Sequence, residues 1–176
     1  MTLYKFFVQF NFLFIIFLSA TFAGADPSKK AYPALKVHGD ELPNSCSPIE
    51  KDKLQKILTS EVNKNADSSG AWRLVETLLC ASNTKSDQLL LQSSLPSKIR
   101  LTASATGEKD VVRWVKRDSE LIDSLMAKGQ AWNATFEVSS NRLKLQFNPD
   151  EACIRTRTIQ FLKGKWNLVA ISEACD

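Results

Sequence analysis

Histidine is almost missing from this chain: His38 is the only one in 176 residues. A hydrolase that activates a nucleophile through imidazole has one residue to draw on, and His38 sits in a stretch without periodic pattern. There are four cysteines, Cys46, Cys80, Cys153 and Cys175, and no two are spaced as C-x-x-C. That spacing, with a remote lone histidine, argues against a metal site, and no cofactor is implied. No block of one charge sign appears. With 23 basic against 19 acidic residues the net charge is +4, too mild to imply nucleic acid without a basic run interleaved with aromatics. After the first 25 residues no apolar run reaches membrane-spanning length, so no transmembrane segment is expected in the mature chain.

What is present begins at the N-terminus. Phe12 to Leu18 is an apolar run, followed by small residues ending in Ala23-Gly24-Ala25. That pattern predicts a secretory signal peptide over residues 1–25, cut after Ala25. Its apolar core is too short for a permanent anchor. The cut removes seven of the ten phenylalanines and only one charge, Lys5. All four cysteines lie beyond it. No cysteine stands at the new N-terminus, so lipid anchoring there is not expected. The expectation is export to the periplasm or the extracellular space.

Residues 26–46 are rich in proline, lysine and polar residues and read as a loose N-terminal arm. Residues 47–176 read as one domain. Ser47-Pro48-Ile49-Glu50 has the form of a capping box with proline at the first helical position. Leu54, Ile57, Leu58 and Val62 then follow at helical spacing. After a polar stretch, Asp67 to Ser69 offer caps for a second helix, with Trp72, Val75, Leu78 and Leu79 as its buried stripe. The two predict an antiparallel helical hairpin. Leu89-Leu90-Leu91 fits a helical turn or a buried strand equally well. Ile99 and Leu101 alternate with polar residues and suggest a strand. A third helix is predicted over 110–128, with Val111, Trp114, Val115, Leu121, Ile122 and Leu125 on one face and Gly129 as its stop.

Beyond Gly129 the period changes to two. Trp132, Ala134, Phe136 and Val138 alternate with polar residues, as do Leu143, Leu145 and Phe147, predicting a hairpin with one buried face. Two further strands, about 153–162 and 166–173, flank Lys163-Gly164-Lys165. The expected fold is α+β: N-terminal helices packed on a C-terminal antiparallel sheet of at least four strands. This element order, closing on the strand Trp166-Asn167-Leu168-Val169, resembles the cystatin-like and NTF2-like cone folds. The resemblance implies a sheet wrapped around a pocket that binds a ligand, catalyses, or is plugged by side chains. It leaves function open.

Four cysteines allow three pairings. A turn centred on Gly164 makes residues whose numbers sum to 328 face each other. That sets Cys153 opposite Cys175, Arg155 opposite Glu173 and Ile159 opposite Val169. A two-residue turn would shift this register by one. Cys46 precedes the first helix and Cys80 ends the second, so a hairpin brings them to the same side. The first helix is expected to be several residues longer, which leaves a gap for the chain before Ser47 to span.

Glu76 and Glu137 are the carboxylates placed to act as a general base in a cone pocket, and an exposed or paired state is the plainer expectation for both. The four tryptophans, Trp72, Trp114, Trp132 and Trp166, fit the buried phase of their elements. Lys144, Arg155 and Arg157, with Lys163 and Lys165 nearby, form a candidate binding face for an acidic protein or an anionic envelope component. Asn133-Ala134-Thr135 matches a glycosylation acceptor, meaningful only in a eukaryotic host. The leading expectation is an exported, disulfide-stapled, non-catalytic binding protein of inhibitor or immunity type. The alternatives are a cone-fold domain with a carboxylate in an apolar pocket, and an envelope structural protein.

Overall fold

The structure, a computed structural model, describes residues 30–31, 44–62, 66–139 and 141–176. The expected signal peptide, His38 and most of the expected arm lie outside these residues. The fold is α+β. Its elements run β1 (Lys30–Ala31), α1 (Pro48–Glu61), α2 (Ser68–Cys80), α3 (Lys85–Ser94), β2 (Lys98–Ala105) and β3 (Val111–Lys116). They continue with α4 (Ser119–Leu125), β4 (Trp132–Ser139), β5 (Arg142–Asn148), β6 (Cys153–Leu162) and β7 (Lys165–Cys175).

The helices start where side chains satisfy free backbone donors. Ser47 accepts from the Glu50 amide, with Pro48 at the helix start. The Glu50 carboxylate turns to Lys53 at 2.7 Å instead of closing the expected reciprocal box. Asp67 caps α2 through the Gly70 amide at 2.9 Å. The full capping box belongs to α3, between Thr84 and Asp87, so Leu89-Leu90-Leu91 is helical. At 14 and 13 residues, α1 and α2 are nearly equal in length. The expected gap therefore does not arise, and Cys46 and Cys80 are bonded with Cα atoms 5.5 Å apart.

One sheet carries the strands in the order β1-β4-β5-β6-β7-β2-β3. The meander β4 to β7 is antiparallel, as expected, but β2 runs parallel to β7 and makes the sheet mixed. Its inner face carries Phe136, Val138, Leu143, Leu145, Phe147, Ile159, Leu168 and Ile171. Against it lie Leu54 and Leu58 of α1, Trp72, Leu74, Leu78 and Leu79 of α2, Leu91 of α3, and Ile122 and Leu125 of α4. All four helices thus feed one core.

The predicted helix over 110–128 is overturned. Val111 to Lys116 is a strand, and the helix begins only at Ser119, capped by Asp118 through the Leu121 amide at 2.8 Å. Valines at 111, 112 and 115 favour the extended backbone over the helix. Gly107, at φ 79°, closes the β2–β3 turn. Gly129 stops no helix: α4 has ended at Leu125, and the Gly129 amide donates to the Leu79 carbonyl at 3.0 Å.

Candidate functional site

Residues paired across neighbouring strands share a face of the sheet. Following the register from β4 to β3 gives two outer rows on the side away from the core. One reads Glu137, Lys144, Thr158, Ala170, Arg100 and Trp114. The next reads Thr135, Gln146, Thr156, Ser172, Thr102 and Val112. Small hydroxylated side chains are the commonest on this surface, with basic groups and one large aromatic set among them. Two shallow hollows flank it. About 210 Å³ opens between Glu137, Arg142, Lys144 and Thr158. Another, of about 290 Å³, lies between Ser104, Asn148, Ile154 and Ala174.

The expected face of Lys144, Arg155 and Arg157 does not exist as one surface. Leu145 is the residue opposite Arg157, so Lys144 points out while Arg155 and Arg157 point to the core side. Along β6 the arginines alternate with Thr156 and Thr158, and it is the threonines that share the face of Lys144. Arg157 is 1% exposed. Its Nη1 donates to the carbonyls of Thr156 and Ser172 at 3.3 and 3.4 Å, and its Nη2 to Glu173 Oε1 at 3.4 Å. The guanidinium lies 5.7 Å from the centre of the Phe147 ring. Its Nε has no hydrogen-bond partner among the described residues. Burial lowers its pKa to about 10, partly offset by Glu173 and reinforced by Arg155, so it stays charged at neutral pH. Arg155 Nε meets the same Glu173 oxygen at 3.1 Å. This shared ion pair, with Arg157 buried and Arg155 and Glu173 half-buried, ties β6 to β7. Lys163 sits in the turn, and Lys165 reaches the Ser93 carbonyl at 3.0 Å.

Neither candidate base lies in an apolar pocket. Glu76 pairs with Lys51 at 2.5 Å and Glu137 with Lys144 at 3.2 Å, all four side chains more than a third exposed. Both carboxylates are solvated partners of lysine. Trp72 and Trp166 are buried, the latter donating to the Asp67 carbonyl at 2.6 Å, and Trp132 is half-buried. Trp114 departs from expectation at 68% exposed. Among the described residues no three His, Cys, Asp or Glu side chains gather as metal ligands. No helix there is long and apolar enough to cross a membrane.

Sequence reasoning missed Arg100, Thr102, Val112 and Trp114 as parts of this surface. Strand alternation over 111–116 was the available signal, and the helical reading hid it. The second bridge, Cys153–Cys175, joins β6 to β7 with Cα atoms 4.1 Å apart.

No protein-family model matches the chain, and no curated protein matches it in sequence. Among solved structures, a protein of unknown function with a cystatin-like fold from Nostoc punctiforme gives a TM-score of 0.38 at 15% identity, covering 66% of this chain and 95% of its own. A DUF4783 family protein from Bacteroides fragilis gives 0.31 at 12% identity, covering 59% and 95%. These likenesses concern the fold and assign no family.

Proposed function

We propose that the protein is an exported, non-catalytic binding domain that meets another protein across the outer face of its sheet. The observation that carries this reading is the row Lys144, Ala170, Arg100 and Trp114 on the side away from the core, with Thr158 buried between Lys144 and Ala170. An exposed tryptophan among arginine, lysine and small hydroxyls is the composition of a protein contact surface. Its charge favours an acidic partner. The inner face supports the same reading, since large apolar side chains fill it where a cone fold would hold ligand. Two disulfides and the N-terminal apolar run support an oxidising destination outside the cytosol.

Capture from envelope and secreted extracts tests this. The double variant R100E/K144E is expected to lose capture by about tenfold or more. K53E/K56E, on α1, serves as the control and is expected to capture normally. Undiminished capture by R100E/K144E rejects the outer face. Equal loss in both variants, with salt-sensitive binding of the parent to an anionic polymer alone, points instead to an envelope polymer.

A further inference from the structure

The sheet ends differently at its two edges. Beside β4 lies β1, with Lys30 opposite Val138 and Ala31 opposite Glu137. At the other edge, among the described residues, β3 pairs with β2 alone. The Arg117 amide donates to the Ser97 carbonyl at 3.0 Å, which fixes the alternation of the ladder. Val111, Arg113 and Val115 turn their backbone groups to β2. Val112, Trp114 and Lys116 turn theirs to the open edge.

Proteins ordinarily blunt such an edge with charge, proline, a bulge or a cover. Here it carries Val111, Val112 and Trp114 at 58, 50 and 68% exposure. Nothing in the core explains them. Charge then selects the occupant. Lys98, Arg100, Lys109, Arg113 and Lys116 surround the edge, and none makes an ion pair among the described residues. Of the acids nearby, Asp110 accepts from Ser104 at 2.7 Å and Asp118 caps α4, while Glu108 in the β2–β3 turn leaves the basic residues in excess. A second copy of β3 would bring like charges side by side.

We propose that β3 accepts an extended acidic segment of the partner as an added strand. This rests on the binding reading above and gives it a mode. Backbone groups at Val112, Trp114 and Lys116 supply the pairing. Apolar residues of the incoming strand cover Val112 and Trp114 on the outer face, and its carboxylates, on the opposite face, meet Arg113.

The test uses the full mature chain and a synthetic octapeptide of alternating glutamate and valine, followed by fluorescence anisotropy. A version N-methylated at every second amide cannot pair as a strand and is expected to bind at least about tenfold more weakly. V112P removes an outward donor without touching the β2 ladder and is expected to lose binding to a similar degree. R113E/K116E is expected to lose the acidic peptide and gain one of alternating lysine and valine. K53E/K56E, on α1, is expected to bind the peptide as the parent does. Equal binding of the N-methylated peptide, or unchanged binding by V112P, overturns the proposal. So does a concentration-dependent dimer of the parent chain that V112P abolishes, since a second copy would then occupy the edge. Partner capture separates the two readings. Loss with R100E/K144E but not with V112P keeps the binding face and rejects the added strand. Peptide binding lost in V112P, with capture unchanged in R100E/K144E, keeps the edge and rejects the face.

Discussion

Ile159 stands opposite Leu168, one residue out of step with the register that joins Cys153 to Cys175. The turn is a two-residue one, Lys163 and Gly164 both at positive φ, of the kind that matches strand twist. A bulge between Thr158 and Ile159 then absorbs Val169 and restores the facing of Arg155 with Glu173 and of Cys153 with Cys175. The expected pairing of Ile159 with Val169 is therefore wrong, while the outer half of the register holds. Deleting Val169 is expected to remove the bulge and keep the register, since Leu168 and Ala170 then follow each other opposite Ile159 and Thr158. Thiol titration is expected to find Cys153 and Cys175 still bonded. Free thiols in the deletion variant, with a loss on the order of 3 kcal/mol from the bridge alone, would contradict this reading of the bulge.

Cys46 and Cys80 close a separation of 34 residues across α1 and α2. In the chain-entropy account a loop of this size is worth about 4 kcal/mol. The variant C46S/C80S is expected to unfold at lower denaturant by that order, with a steeper dependence on denaturant concentration because the freed chain unfolds more fully. A midpoint equal to the parent's would mean the helix pair needs no staple.

Arg157 and Glu173 give opposite expectations for two changes at one site. Arg157 is buried with Nε unsatisfied, so R157M removes a desolvated charge and keeps the packing on Phe147. Stability is expected to hold or rise. E173A strips the counter-charge from both arginines and is expected to cost about 1–3 kcal/mol. Urea denaturation of the pair checks this; a loss in R157M larger than in E173A would assign Arg157 a different role.

The tryptophans separate strand from helix over 111–116. W114A is expected to change stability by less than about 0.5 kcal/mol, whereas W72A is expected to cost about 3–5 kcal/mol. Acrylamide quenching of the parent's fluorescence is expected to fall in W114A and persist in W72A. Equal destabilisation by both substitutions would put Trp114 back in the core.

The sequence revealed more of the scaffold than of the surface, for physical reasons. Alternation over β4 and β5 is clean because one face meets a core and the other meets water, so Phe136, Leu143 and Phe147 mark themselves. Caps at Ser47 and Asp67 are local hydrogen-bond chemistry and read directly. The stretch 110–128 misled because Val111, Trp114 and Val115 fit a period of 3.6 as well as a short strand does, while Asp118 breaks the run as a cap. Arg157 misled differently. A charge within a strand was taken as outward, and only the pairing of Leu145 with Arg157 shows that it faces in. Without β3 in place, Arg100 and Trp114 could not be seen as neighbours of Lys144's row.

Amide hydrogen exchange of the captured complex tests the central claim most directly. On binding, protection is expected at Val112, Trp114 and Lys116 and along β2, with α1, α2 and α3 unchanged. Protection confined to the helices, with the β3 amides exchanging as in the free protein, would contradict it.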